Sequence, residues 1–392
     1  MLIQQHGQGT DHMSKIRVML VVGARPQFIK SAPLISEILR RHRRVELSII
    51  HSGQHYDPEM SEIFFHQLHI PRPMMNLEAG SGSHARQTAT IMKRLEKPML
   101  QAEPCVVIVP GDTNTTLAAA LTAAKLNIPV AHIEAGLRSG DMTMPEEINR
   151  RLTDHCSSIL FAPTKTANSN LRKEGLNELA YLTGDTMVDT LRIVSALVDR
   201  AQKSILERFR LTEREYVLVT MHRPFNVGDL DRLCEILHAL RDVSRRLRVV
   251  FPVHPRTRSR LAQLKITKQS RDQIGLTDPL GYVEILSLLR NAKCLLTDSG
   301  GMQKESFLLH IPCVTLRSTT EWPETLVSKA NQLISKPDSI ATTLLNVAYD
   351  RTLRQRIKHL KNPFGDGHAS ARIARIIEEW VRSGEARPNR LG

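Results

Sequence analysis

CVVIVPGDTNTTLAAALTAAKLNIPVAHIEAGLRSGDMTMPEEINRR, residues 105–151, decides the fold. Cys105–Val109 is apolar without alternation, the pattern of a strand covered on both faces, and it runs into Pro110, Gly111 and Asp112. An Ala-rich helix is expected over Thr115–Lys125. A second mostly apolar strand, Ile128–Ile133, then ends at Glu134. A Gly-containing turn and loop lead to Pro145, Glu146 and Glu147, which read as the first turn of another helix: proline is tolerated there, and carboxylates suit the positive end of the helix dipole. Strand, helix, strand, helix implies a parallel sheet, and such sheets take their ligands at the carboxyl ends of their strands. Burial alone gives no reason for the three acids Glu134, Glu146 and Glu147 in this setting.

The alternation extends in both directions. A strand at Ile16–Val22 ends at Gly23, with a helix expected over Ser31–Arg40, a strand over Val45–Ile50, and helices over Asp57–Leu68 and Arg86–Gln101. After the strand Ile159–Ala162, the segment Thr183–Leu191 leads into a charged helix, Leu191–Phe209. A second series follows, with strands at Tyr216–Thr220, Arg248–Val253 and Cys294–Thr297. The expected organisation is α/β, with two Rossmann-like, doubly wound domains. Residues 15–187 form the first, residues 188–364 the second, with the crossover near 184–192. Residues 365–385 supply a last helix, about Ala369–Val381, that crosses back to the first domain, and residues 1–14 are a polar, disordered extension.

Of the 392 residues, 41% are hydrophobic, 24% charged and 4% aromatic, as in an ordinary globular enzyme with few aromatics. No apolar run reaches the roughly 18 residues of a membrane span, and the start lacks a secretory pattern. The 5 cysteines are scattered without C-x-x-C spacing, which argues for reduced thiols in a cytoplasmic protein and for no zinc site. No metal and no cofactor are expected. A net charge of +14 raises the question of nucleic acid, but the basic residues are dispersed along helix-like segments without interleaved aromatics. We therefore expect solvated faces and no nucleic-acid or membrane partner; a basic field also attracts an anionic nucleotide.

Other strand ends carry chemistry too. Gly23–Lys30 (GARPQFIK) puts Arg25 and Lys30 between a strand and its helix, where anions are favoured. Asp112 reads alone as a helix cap, but beside Glu134 and Glu146 it reads as a third acid on one cleft, where repulsion raises at least one pKa towards neutrality. Val219–Asn226 (VTMHRPFN) places His222 and Arg223 at a strand end, where a phosphate contact fits; Phe251–Arg258 repeats the pattern with His254, Arg256 and Arg258, but there it reads as loop architecture. Leu296–Ser306 (LTDSGGMQKES) is the sharpest signal of the second half. Ser299, Gly300 and Gly301 open a helix whose free N–H groups and dipole suit a diphosphate, with Glu305 one turn in.

In this order the motifs GARPQFIK, GDTNTT, HIEAGLRSGD with PEEINR, MHR, PVHPR, LTDSGG-x-QKE, TTEWPET and NPFGDG resemble the non-hydrolysing UDP-N-acetylglucosamine 2-epimerases, from about Lys15 to Trp380. The resemblance implies a GT-B-like pair of domains facing across a cleft, with UDP held mainly by the second, and a homodimer. It implies that Asp112, Glu134 and Glu146 are catalytic carboxylates, with His222 by the diphosphate. Arg25, Lys30 and Arg150 are expected to line the cleft, Ser299, Gly300 and Gly301 to contact phosphate, Glu305 the ribose, and Arg317 to close the sugar side. The implied reaction inverts C2 of the sugar by elimination and re-addition of UDP, supplying precursors for surface polysaccharide.

The sequence departs from the commoner enzymes at Gln27-Phe28 and at Gly53–Asp57 (GQHYD), so the resemblance does not carry over the second, regulatory substrate site found in some of them. Gln27, Tyr56 and Trp322 look more like the branch acting on UDP-2,3-diacetamido-2,3-dideoxyglucuronate. Two rivals share the architecture: a hydrolysing 2-epimerase and a retaining GT-B glycosyltransferase. The latter's usual glutamates eight positions apart are missing, since Glu305, Glu321 and Glu324 are spaced otherwise.

Overall fold

A computed structural model describes residues 15–41, 43–53, 70–264 and 268–386. The expected extension 1–14, helix Asp57–Leu68 and residue Tyr56 lie outside the described residues, as does the side chain of Arg256. The apolar runs become two parallel sheets. The first comprises β1 (Ile16–Val22), β2 (Val45–His51), β3 (Met75–Asn76), β4 (Val106–Pro110), β5 (Val130–Ile133), β6 (Ile159–Ala162) and β7 (Ala180–Leu182), in the order β3-β2-β1-β4-β5-β6-β7. The second comprises β8 (Tyr216–Thr220), β9 (Arg248–Pro252), β10 (Leu276–Thr277), β11 (Cys294–Thr297), β12 (Cys313–Leu316) and β13 (Asn331–Ile334), in the order β10-β9-β8-β11-β12-β13. Every ladder is parallel, and β4, β5, β6, β11 and β12 are buried along their whole length, which is why these strands carry no polar alternation.

Strand order reverses between β1 and β4 in the first sheet and between β8 and β11 in the second. Such reversals leave a crevice at the strand ends. Four motif segments follow those four strands: Gly23–Lys30, Gly111–Asn114, His222–Asn226 and Asp298–Gly301.

The first helix starts at Arg25, not at the expected Ser31, so Arg25 and Lys30 ride on its first two turns and not on a loop. Pro26 is already set for a helical first turn, and the Gln27 side-chain oxygen accepts hydrogen bonds from the N–H groups of Gly23 (2.8 Å) and Ala24 (3.1 Å). The chain leaves the first sheet at Thr183–Asp185 and enters the helix Thr186–Phe209, capped by Asp185. Val194, Val198 and Ile205 of that helix share one core with Phe28 and Ile29 on one side and Leu286 and Leu289 on the other, which ties the two sheets together.

The helix Ala369–Arg382 lays Ile373, Ile377 and Trp380 into the same core beside Ile16, Val18 and Ile38. Its first turn is held by Asp189, which accepts from the N–H groups of Ala369 and Ser370. Glu378 pairs with Arg41 and Arg44. No helix among the described residues is long and apolar enough to cross a membrane.

Candidate active site

Glu134 follows β5 directly, and its backbone is in the left-handed region at φ 68°. A non-glycine residue held there stores about 1–3 kcal/mol of strain, which only a surrounding network sustains. That network is ionic. The ammonium groups of Lys30 and Lys304 lie 2.7 Å and 2.8 Å from its two carboxylate oxygens, and Glu134 is 3% exposed. Burial alone would raise this carboxyl, but the two lysines hold it well below the usual carboxylate range. Lys304, on the helix Gly300–Leu308 of the second domain, also contacts Asp185 at 2.5 Å and sits over the Trp322 ring.

Asp112 presents a different environment. Its side chain is 29% exposed, and the Arg150 guanidinium is 2.5 Å away. Burial raises its pKa and Arg150 opposes the rise, while Glu146 adds to it through repulsion. The loop beneath is fixed by Asn149, whose amide donates to the Asp112 carbonyl at 2.9 Å, and by Gln27, whose amide donates to the Pro110 carbonyl at 2.7 Å. Gln27 thus fastens the loops after β1 and β4 to each other.

Glu147, expected either as a helix-start residue or as a support behind the other acids, is buried under the same loop. It accepts from the Ser139 N–H (2.8 Å) and hydroxyl (3.0 Å) and pairs with Arg150 at 2.7 Å. Burial would raise its pKa, yet these donors bring it down to about 2. Its work is to hold Arg150 and the loop ahead of the helix. His132 on β5 joins this layer, bonded to Asp154 at 2.7 Å and to the Gly111 carbonyl at 2.8 Å.

The second domain closes on these acids. Arg223 reaches Glu146 at 2.5 Å. The buried Asp298 carboxylate accepts from the N–H groups of His222 and Arg223 and from the Asn226 amide, which shapes the turn after β8. The His222 ring lies 3.5 Å from Asp298 and 5.4 Å from the His254 ring, centroid to centroid. Ser299 caps the helix Gly300–Leu308. A Cβ on Gly300 would overlap the Glu321 carboxylate, whereas one on Gly301 meets nothing closer than Ser299 Oγ at 3.8 Å. Gly300 is therefore demanded by packing, and Gly301 leaves a gap over the helix N-terminus.

Arg317 pairs with Glu321 at 2.8 Å and lies 3.6 Å from Met144 Sδ, across the cleft. Glu321, 5% exposed, is raised by burial but brought to about 2 by Arg317, Arg150 and Arg223. Glu305 is buried and accepts from the Tyr282 hydroxyl at 2.8 Å. Arg25 opens the first helix, and its side chain lies outside the described residues.

Sequence reasoning missed Lys304, Asp185 and Glu321. Lys304 stands inside the LTDSGGMQKES motif, but its partners Glu134 and Asp185 are 170 and 119 positions away, a pairing that no local pattern carries.

Two doubly wound domains set the acids Asp112 and Glu146 of one against the strand-end loops and the helix N-terminus of the other. A family model described as UDP-N-acetylglucosamine 2-epimerase matches residues 37–378. A Methanococcus maripaludis protein, "UDP-N-acetylglucosamine 2-epimerase homolog", is 44% identical over 92% of this chain and 99% of its own. A Pseudomonas aeruginosa UDP-2,3-diacetamido-2,3-dideoxy-D-glucuronate 2-epimerase is 40% identical, over 92% and 99%. The solved structure of the Methanocaldococcus jannaschii UDP-GlcNAc 2-epimerase, in complex with UDP-GlcNAc and UDP, is 40% identical with a TM-score of 0.85, covering 93% of this chain and 99% of that one. The chain belongs to the UDP-N-acetylglucosamine 2-epimerase family and is an isomerase with the GT-B-like fold.

Proposed function

We propose that this protein inverts C2 of UDP-N-acetylglucosamine, giving UDP-N-acetylmannosamine, by elimination and re-addition of UDP. A base takes the C2 proton, the C–H electron pair becomes the C1–C2 double bond of 2-acetamidoglucal, and the C1–O bond breaks to release UDP. UDP oxygen then adds back to C1 while C2 is protonated from the opposite face. Two proton carriers on opposite faces are needed, because one base returning its own proton regenerates the substrate.

The observation that carries this reading is the 2.5 Å contact of Arg223 with Glu146, which sets the acid-bearing strand ends of one domain against the cradle of the other. Asp112 and Glu146, 29% and 30% exposed, are the acids that reach the cleft, and we assign them the proton transfers. Glu134, with both oxygens on lysines, is the orienting carboxylate. Ser299, Gly300 and Gly301 take the diphosphate at the helix N-terminus, with His222 and Arg25 beside it and Arg150 and Arg317 on the sugar side. Glu305 is assigned to the ribose through its Tyr282-held carboxylate.

A second reading, the 2,3-diacetamido-uronate analogue as substrate, draws on the equal 40% identity to the P. aeruginosa enzyme and the M. jannaschii structure. Two of the residues that suggested it turn inward, however. Both ends of the Gln27 amide are used within the fold, and Trp322 is 2% exposed beneath Lys304. A cytoplasmic homodimer supplying polysaccharide precursors completes the proposal. The test is an NMR assay in D2O with both UDP-sugars side by side. Turnover of UDP-N-acetylglucosamine with deuterium at C2 is expected; turnover without exchange, or release of free sugar, would refute the mechanism.

A further inference from the structure

We infer that Lys304 is a positioning residue for the reaction, through which seating of the UDP-cradle domain fixes Glu134 and, through Glu134, the Lys30 ammonium in the cleft; this rests on the proposed function above. Lys304 is the one lysine with no exposed surface among the described residues. It lies one turn into the helix that Ser299 caps, and its side chain leaves the second domain to meet Glu134 at 2.8 Å and Asp185 at 2.5 Å, with its ammonium over the Trp322 ring, 3.8 Å from the centroid.

A buried ammonium is tolerated only when paired, and one carboxylate neutralises it. Asp185, at the entry to the helix joining the domains, would suffice for a lysine that merely fastens them. The second carboxylate is Glu134, whose remaining oxygen holds Lys30, 17% exposed at its side chain. Asp185, Lys304, Glu134 and Lys30 therefore alternate in sign from the buried crossover to the cleft. Lys30 comes from the first helix and Lys304 from the second domain, so Glu134 acquires both partners only when the domains are closed together. Asp112, near Lys30 and itself paired with Arg150, is the other acid of this neighbourhood.

The test compares wild type, Lys304→Arg, Asp185→Asn and the pair Lys304→Met with Asp185→Asn, which removes one buried charge of each sign. Three readouts are taken: UDP affinity by calorimetry, the pH dependence of kcat, and an infrared carboxyl titration referenced to Glu134→Gln. The double variant is expected to bind UDP within about threefold of wild type while its acidic limb moves up by about one pH unit or more, the size of one lost cationic neighbour. The carboxyl band absent from Glu134→Gln moves with it. Asp185→Asn, which keeps Lys304 on Glu134, and Lys304→Arg leave the limb near its wild-type position.

A double variant with the wild-type limb and band would reduce Lys304 to a fastener and overturn the inference. So would an equal upward movement of the limb in Asp185→Asn, a check that remains if the double variant fails to fold. The infrared titration needs no substrate. A protein inactive on both UDP-sugars but with the shifted band would refute the proposed function while still showing that Lys304 fixes Glu134.

Discussion

Arg223, just past the end of a second-domain strand, bonds Glu146, in the first turn of a first-domain helix, at 2.5 Å across the cleft. The two side chains are 20% and 30% exposed, so desolvation of both charges offsets much of what their attraction gains. The pair's value lies in orientation. Glu146→Gln is expected to leave thermal unfolding within a few degrees of wild type, while kcat falls by about 10²–10⁴-fold. A loss confined to KM would remove Glu146 from the proton transfers.

Asp112 is the cleft acid whose pKa burial pushes up against the pull of Arg150, the direction that favours holding a proton for transfer. Asp112→Asn keeps the shape next to Arg150 and is expected to lower kcat by about 10²–10⁴-fold with UDP affinity retained. Calorimetry with UDP beside the NMR assay checks both halves.

The two glycines of the cradle separate packing from ligand access. Gly300→Ala drives a Cβ into the Glu321 carboxylate, which Arg317 holds in place, and is expected to destabilise the protein by about 1–3 kcal/mol. Gly301→Ala meets only Ser299 Oγ, at an ordinary contact distance of 3.8 Å, so it should unfold like wild type and lose UDP affinity. Equal unfolding midpoints with equal loss of UDP binding in the two variants would contradict this division.

Acid stability follows from Glu147. Its folded pKa of about 2 is below the ordinary value of 4.5, so its stabilisation is fully present above pH 4.5 and is lost as pH falls from there towards 2. Its size is on the order of 3 kcal/mol, and Glu321, brought to about 2 by its arginines, adds in the same window and direction. Denaturant melts between pH 5 and 3 should show stability falling, and Glu147→Gln should flatten that slope.

The last helix is tested by Trp380→Ala. Trp380 is 9% exposed and packs with Ile373 and Ile377 against the first domain, so its truncation is expected to cost about 3–5 kcal/mol. A variant that melts with wild-type stability would show the helix to be dispensable.

The alternation of strands and helices was legible in the chain alone, because a parallel strand covered on both faces is apolar nearly throughout, as Cys105–Val109 is and as Ile128–Ile133 is apart from His132. The sequence also put Asp112, Glu134, Glu146 and Ser299–Gly301 at strand ends and helix starts, where the structure has them. It misjudged the first helix: the Gln27 side chain that caps Gly23 and Ala24 carries no periodic signal. Only the tertiary structure decided how the acids differ. Glu134 and Asp112 look alike in the chain, yet one is clamped between Lys30 and Lys304 while the other keeps an exposed edge beside Arg150. The reason is that a carboxylate's charge state is set by what surrounds it in space. For Glu134 that surrounding includes an ammonium brought from 170 positions away by the facing of two domains.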